Sequence, residues 1–446
     1  MRHHRPRKGS VARRWSAVSV PLEHVPPRAL RKNYRRVLDD LSTKGDLVWI
    51  DVGYQRSLLV NSAEYVREAL IDRADTLVKP DSQTIETGPP APAPADDGIP
   101  VPEFRAALTK GMGATLIPDV LAGVATAAET EVARWRDGMR LPLMPRMRRL
   151  AVTATCRASF GSRLDPDGLR RAERAVRWMG RIMLVNSPAA RRWDRLKLNR
   201  WRRKRGRREL LALSHSLIAN ADLSRPSEMT ALVEDLPELA PSLTAEDRQA
   251  LFVELFMGAV APLTQTAGWV LLRFGTEKDA AARLRAEWDA ILPQGRAIDR
   301  DVLSRLRCTE AFVREVTRLH PTNPRITRHA VVESRLGSER IPKNTRVILN
   351  VNALHRSPRL FDEPDRFLPE RWLDGRPGAH KFAYVAFGVG GRRCIGETMA
   401  MTSLIAMLPI LGRDWDFEFP RIRVSVAGRH QPAESVKATL RARSAH

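Results

Sequence analysis

Phe387-Gly388-Val389-Gly390-Gly391-Arg392-Arg393-Cys394-Ile395-Gly396 is a glycine-rich loop with one cysteine behind two arginines. Gly388, Gly390 and Gly391 allow positive φ angles and let the backbone come close to a flat ligand. The run after Gly396, ETMAMTSLIAMLPIL, reads as a buried helix, so Cys394 sits just ahead of a helix N-terminus. The partial positive charge there is expected to favour a thiolate over a thiol. A thiolate that accepts backbone N–H bonds is a good axial ligand for haem iron. A blander reading is a glycine turn before a core helix, with the cysteine as a small hydrophobe. The other two cysteines, Cys156 and Cys308, fit apolar helical faces. Three cysteines at unrelated spacings argue against a disulfide framework or a zinc site and fit a reducing cytosol.

Partners for the loop lie upstream. In DVLSRLRCTEAFVREVTRLHPTNP, Glu315 and Arg318 are three apart on a helix and so share a face. This E-x-x-R is weak alone, but Leu319-His320-Pro321 and the PERW of Pro369–Trp372 follow it. The longest helical pattern spans residues 246–275 and is apolar nearly all round, which predicts a buried helix. Pro262 lies inside it. Proline cannot donate to the Gly258 carbonyl and should kink the helix, costing roughly 3 kcal/mol if nothing compensates. The freed carbonyl can hold a water or a substrate hydroxyl. Gln265 and Thr266 lie one turn on, near the same face, as hydrogen-bond donors or as caps of the kink.

The chain has 446 residues, an apolar fraction of 43% and a net charge of +24. That apolar share supports a large core. The basic start, MRHHRPRKGSVARRW, is not followed by an apolar run of about 20 residues, so no signal peptide or membrane anchor is expected. The charge would suit nucleic acid, an anionic membrane surface or an acidic protein, although arginine is spread through most of the chain. The most basic run is RRWDRLKLNRWRRKRGRR at residues 191–208. A solvated face, docking to an acidic carrier protein or anionic lipid, and nucleic-acid binding all remain open for it. Trp193 and Trp201 are eight apart, close to two helical turns, and are expected to share a face and pack inward.

Residues 1–40 read as a loose basic tail and a short helix. DLVWIDVG and RSLLVNS are predicted strands joined at Gly53-Tyr54, and AEYVREALIDR a helix. Residues 80–102, with PPAPAPADDGIPVP, read as a loop. RIPKNTRVILNVNALHRSP is expected to return to the sheet.

The pattern F-G-x-G-x-R-x-C-x-G resembles the haem-binding signature of the cytochrome P-450 superfamily, and every specified position matches. With the E-x-x-R and P-E-R-W motifs, the resemblance covers most of the chain. It implies a mainly α fold with a small β-sheet region (α+β), one large domain over residues 41–446 with haem at its centre. The implied cofactor is iron protoporphyrin IX (heme b), with Cys394 as the iron ligand inside the Phe387–Gly396 loop. Arg105, Arg328 and Arg392 would bind its propionates. The family's aromatic partner of Arg105 falls on Val101, so one propionate contact is expected to be lost. Glu315, Arg318 and Arg371 would form a buried ionic lock. Residues 80–102 match the family's lid and residues 191–208 its pocket-roofing helices.

The resemblance also implies an enzyme: a monooxygenase that oxidises a hydrophobic small molecule of bacterial secondary metabolism. Such proteins are cytoplasmic and take electrons from NAD(P)H through a ferredoxin reductase and a ferredoxin. An acidic ferredoxin would suit a basic face near Arg392 and Arg393. One departure stands out. The family's distal helix usually reads [A/G]-G-x-[D/E]-T, where acid and alcohol relay protons to dioxygen. Here Ala261 replaces the acid and Pro262 the alcohol. The substrate's own hydroxyl completing the relay, a hydrogen-peroxide-dependent peroxygenase and an oxidative rearrangement are the enzymatic alternatives. A haem-binding sensor or carrier is the non-enzymatic one. A nucleic-acid binder would explain the charge but none of these motifs.

Overall fold

The longest element is the helix Ala245–Thr276. Thr244 caps it. Its hydroxyl accepts from the Asp247 N–H at 3.2 Å, while Asp247 accepts from the Thr244 N–H at 2.9 Å. This reciprocal cap contributes about 1 kcal/mol. Phe252, Phe256, Trp269 and Phe274 are all buried, so the all-round apolar pattern becomes a core helix about 48 Å long. By length and hydropathy it could cross a membrane, but most of its apolar window is buried inside the fold. It packs against the helices Leu143–Phe160 and Glu397–Gly412. A Cβ on Gly275 would stand 2.6 Å from the Phe417 carbonyl, so glycine lets the helix meet the strand Trp415–Glu418. The helix runs unbroken through Pro262. Thr264 Oγ1 donates to the Val260 carbonyl at 2.7 Å in the same turn.

This computed structural model describes residues 20–51, 56–79, 105, 108–109, 116–160, 164–183, 197–219, 234–239, 241, 243–292, 297–375, 378–420, 432 and 434–443. The Gly53-Tyr54 turn, the loop 80–102, Val101 and Trp193 lie outside them. The fold is mainly α-helical with small sheets, in one domain.

Leu47–Asp51 and Arg56–Val60 pair antiparallel, with Trp49 opposite Leu58. Four successive residues in each are buried, so this part of the sheet is covered on both faces. Arg346–Leu349 joins in parallel and Ile326–Ala330 follows antiparallel. Leu22–His24 pairs with Leu47–Asp51 at the edge, and the helix Pro27–Ser42 follows it. The segment from Leu22 therefore belongs to the sheet rather than to a loose tail.

Three local expectations are corrected. Val351–His355 is a helical turn, not strand, because the Asn350 side chain accepts from the Ala353 N–H at 3.2 Å and caps it. Trp201 does not pack inward: it is 50% exposed on the helix Lys197–Ala219, with Arg205 5.3 Å over its ring. Trp178 touches it only from one side, at 6.1 Å between ring centroids. Cys308 is half-buried at a helix start, whereas Cys156 is core, and burial pushes its thiol up to about 12.

Candidate functional site

The Phe387–Gly396 loop is closed by its own backbone. The Cys394 N–H donates to the Phe387 carbonyl at 2.8 Å, and the Arg393 N–H to the Gly390 carbonyl at 3.0 Å. Gly390 has a φ of 72°, and a Cβ on it would stand 2.5 Å from the Leu70 carbonyl. Glycine is thus required there twice, by backbone angle and by the π-helical turn Glu68–Asp72 against which the loop lies.

The loop faces a cavity of about 410 Å³. Phe387, Arg392, Cys394 and Gly396 line it, as do Gly258, Ala259, Pro262, Leu263 and Thr266 of the long helix. Cys394 is open to the cavity and packed by protein on its other sides. Burial raises its thiol above the ordinary value and nearby Glu397 adds to the rise; the Gly396 N–H and the charges of Arg105 and Arg393 oppose it. The net effect is a rise, which corrects the expectation that the helix N-terminus alone would favour a thiolate. Glu397, the first residue of that helix, works against it. A bound metal cation would supply the missing bias.

Arg105, Arg328 and Arg392 also line the cavity, together with Lys79. Arg105 Nη2 donates to the Arg393 carbonyl at 2.8 Å, tying it to the cysteine loop. Arg328 is 8% exposed and donates to its neighbour's carbonyl, Thr327 O, at 2.9 Å. Burial, with Arg392 nearby, lowers its pKa to about 10. Among the described residues no carboxylate pairs with Arg105, Arg328 or Arg392. Gathering these cations at one cavity, with Arg328 buried, is costly unless an anion joins them. A flat ligand with two carboxylates, coordinated through Cys394, fits this donor set. Lys79 escaped the sequence reading because a lone lysine before a loop carries no spacing pattern.

Glu315 and Arg318 are fully buried. Arg318 grips Glu315 with two bonds, at 2.9 and 2.7 Å. Arg371 Nε, the Leu368 N–H and the Trp372 indole N–H also donate to Glu315, at 3.3, 3.0 and 2.9 Å. Burial alone would raise the Glu315 pKa, but Arg318 and the other donors bring it below the usual range. The structure therefore brings all three residues of the expected lock together.

His355 links this cluster to the loop and was not singled out in the sequence. Its Nε2 accepts from the Val385 N–H at 3.0 Å, which leaves Nδ1–H to donate to the Arg318 carbonyl, also at 3.0 Å. The ring stacks on Tyr384, whose hydroxyl meets Thr317 at 2.7 Å. Burial depresses the His355 pKa to about 3. An unfolded histidine takes up its proton near pH 6.5, so below that pH the unfolded chain binds more protons than the folded one. Stability should fall as pH drops from 6.5 toward 3, by about 2 kcal/mol at pH 5 relative to pH 8. The carboxylate of Glu315 adds its own loss only below its unfolded value, near 4.5. Denaturant titrations across pH 5–8 test this, and His355→Gln should flatten the slope. An unchanged slope in that variant contradicts the assignment.

The distal residues divide. Pro262 and Thr266 line the cavity, whereas Ala261 and Gln265 do not. Both are buried, and the Gln265 Oε1 has no hydrogen-bond partner among the described residues. A helix turns 100° per residue, so neighbours in sequence face different surroundings. Gln265 is thus corrected from a cavity donor to a packed side chain.

A family model described as Cytochrome P450 matches residues 24–425. The chain is similar to the cyclooctat-9-en-7-ol 5-monooxygenase of Streptomyces melanosporofaciens, at 25% identity over 441 residues and 92% of each chain. It is similar to the 11-hydroxysugiol 20-monooxygenase of Salvia miltiorrhiza at 28% over 263 residues, 58% of this chain and 48% of that one. The carnosic acid synthase of Rosmarinus officinalis matches at 31% over 182 residues, 40% of this chain and 36% of the relative. The two plant proteins are thus matched over less than half their own length.

Proposed function

The chain belongs to the cytochrome P450 family, and from that premise we propose a haem-thiolate monooxygenase that hydroxylates a terpenoid-like small molecule. The observation that carries this reading is a single cavity holding the Cys394 thiol together with three arginines that have no carboxylate partner among the described residues. Cys394 would ligate the iron, with the Gly396 N–H on its sulfur. Arg105, Arg328 and Arg392 would hold the propionates, and Phe387 would close the loop side. Bound there, haem supplies the oxidising chemistry on dioxygen, and thiolate ligation favours O–O cleavage. The protein's own part is to orient substrate, limit water and admit protons. Gly258, Ala259 and Leu263 shape an apolar wall for that purpose. The relatives whose names state a terpenoid alcohol or a hydroxylated diterpene as substrate support the substrate class.

Electrons would come from NAD(P)H through a ferredoxin reductase and a ferredoxin in the cytoplasm. The exposed Arg392 and Arg393 beside the loop offer an acidic ferredoxin a complementary surface. Turnover with ferredoxin, its reductase and NADPH, compared with turnover on hydrogen peroxide alone, tests the oxidant. Product only with the electron chain supports the monooxygenase. Product with peroxide alone supports the peroxygenase, the second reading, for which Pro262 speaks and Ala261, where such enzymes usually carry an arginine, does not. No product in either arm supports a sensor or carrier. For the basic stretch, the described part carries a groove lined by Trp201, Lys204, Arg205 and Arg208, with Glu209 in it pairing Arg171 and Arg205 and leaving a net positive charge. An acidic carrier protein or anionic lipid would fit that charge.

A further inference from the structure

The basic stretch folds into a surface that the chemistry at Cys394 leaves unused. On the helix Lys197–Ala219, Gly206, Leu210, Leu213 and Leu217 are buried. Trp201, Lys204, Arg205 and Arg208 recur at i, i+3, i+4 and i+7, so they share the opposite face, and all four are exposed. A Cβ on Gly206 would stand 3.3 Å from the Met179 side chain, so glycine lets this helix lie close on the helix Pro166–Met183. That contact brings two cations and two rings into one stack. Arg174 lies 5.9 Å over the Trp178 ring, Trp178 and Trp201 are 6.1 Å apart between centroids, and Arg205 lies 5.3 Å over Trp201. Beside the stack is the groove of about 450 Å³ that Trp201, Lys204 and Arg208 line. Glu209 is its one carboxylate among the described residues, and Arg171 and Arg205 share it, at 2.6 and 3.7 Å. Arg174, Lys204 and Arg208 have no carboxylate partner among the described residues.

Cations without partners around a half-exposed tryptophan call for anions and an apolar boundary at one place. The surface of an anionic bilayer offers both: phosphates for lysine and arginine, and a headgroup layer in which an indole rests half buried. We propose that the face of Trp201, Lys204, Arg205 and Arg208, with Arg174 of the neighbouring helix, docks the protein peripherally on bilayers of anionic phospholipid. Both helices pack on the long helix, whose Gly258, Pro262 and Leu263 line the cavity. Docking therefore sets the lipid surface across one layer of helices from the cavity. The choice of lipid over an acidic protein rests on the terpenoid-like substrate of the monooxygenase reading, since an apolar molecule of that kind collects in bilayers.

Sedimentation of the holoprotein with vesicles at about 0.15 M salt tests this. The protein should pellet with vesicles of equal parts phosphatidylglycerol and phosphatidylcholine, and stay in solution with phosphatidylcholine alone. The whole chain is basic, so the control removes the same charge elsewhere. Arg174→Gln, Lys204→Gln and Arg208→Gln together should weaken binding about a hundredfold, at about fivefold per cation. Arg134→Gln, Arg335→Gln and Lys343→Gln together neutralise exposed cations on other elements and should weaken it less than about threefold. Acyl chains brominated near the headgroup should quench the tryptophan emission of bound wild type. Trp201→Phe should keep most of the binding and lose most of that quenching. All the substituted side chains are exposed, so each variant should keep wild-type haem content, which checks its fold. No pelleting with anionic vesicles overturns the proposal and leaves an acidic protein as the occupant of this face. Equal losses in the two triple variants, or quenching kept in Trp201→Phe, overturns it in favour of diffuse charge or another face. Binding is read without turnover, and the carbon monoxide spectrum of the same sample tests the monooxygenase reading separately, so the two failures are told apart.

Discussion

Glu315→Ala is expected to yield protein that loses haem on purification and is less stable by about 3–5 kcal/mol. The reason is the inventory around one carboxylate. Glu315 accepts from Arg318 twice, from Arg371, from the Leu368 N–H and from the Trp372 indole. Deleting it strands two arginine charges, one fully buried and one nearly so. Arg318 also donates to the carbonyls of His355 and Pro364, at 2.6 and 2.7 Å. His355 in turn holds Val385, two residues before the cysteine loop begins. Damage to the cluster therefore has a short bonded route to the haem site. Haem-to-protein ratio and denaturant midpoint are the readouts. Glu315→Gln keeps the shape but not the charge, and should fall between wild type and alanine. Full haem occupancy in the alanine variant would count against the lock.

Cys394→Ser is expected to abolish turnover while leaving the fold within about 1 kcal/mol of wild type. Serine is nearly isosteric, and the side chain it replaces faces the cavity rather than the packed core. Its hydroxyl stays protonated where a thiol beside a metal cation would not. Unchanged turnover in the serine variant would remove Cys394 from the chemistry. A collapse of stability would instead show that its role is packing.

Patterns with a fixed spacing were legible in the sequence. Glu315 and Arg318 at i and i+3 announce a shared helix face, and the sheet through Trp49 and Leu58 follows from two apolar runs. The loop's glycines and cysteine were equally plain. What could not be read depends on neighbours far along the chain. Trp201 and Trp193 satisfied a helical period, yet Trp201 is left half exposed, because periodicity identifies a face and not what covers it. His355 sits in a stretch with no motif. Its importance comes from Arg318, 37 residues earlier, and Val385, 30 residues later. Gln265 and Thr266 are adjacent in sequence, but only one reaches the cavity. The thiol of Cys394 was misjudged because the helix N-terminus was counted without Glu397 and the surrounding burial.

The central claim is that the sulfur of Cys394 binds the iron of a haem seated in this cavity. The carbon monoxide difference spectrum of the reduced wild-type protein tests it most directly. The account predicts the strongly red-shifted Soret band that a thiolate opposite carbon monoxide produces. A band at the shorter wavelength of imidazole-ligated haem, or protein that takes up no haem at all, would contradict it.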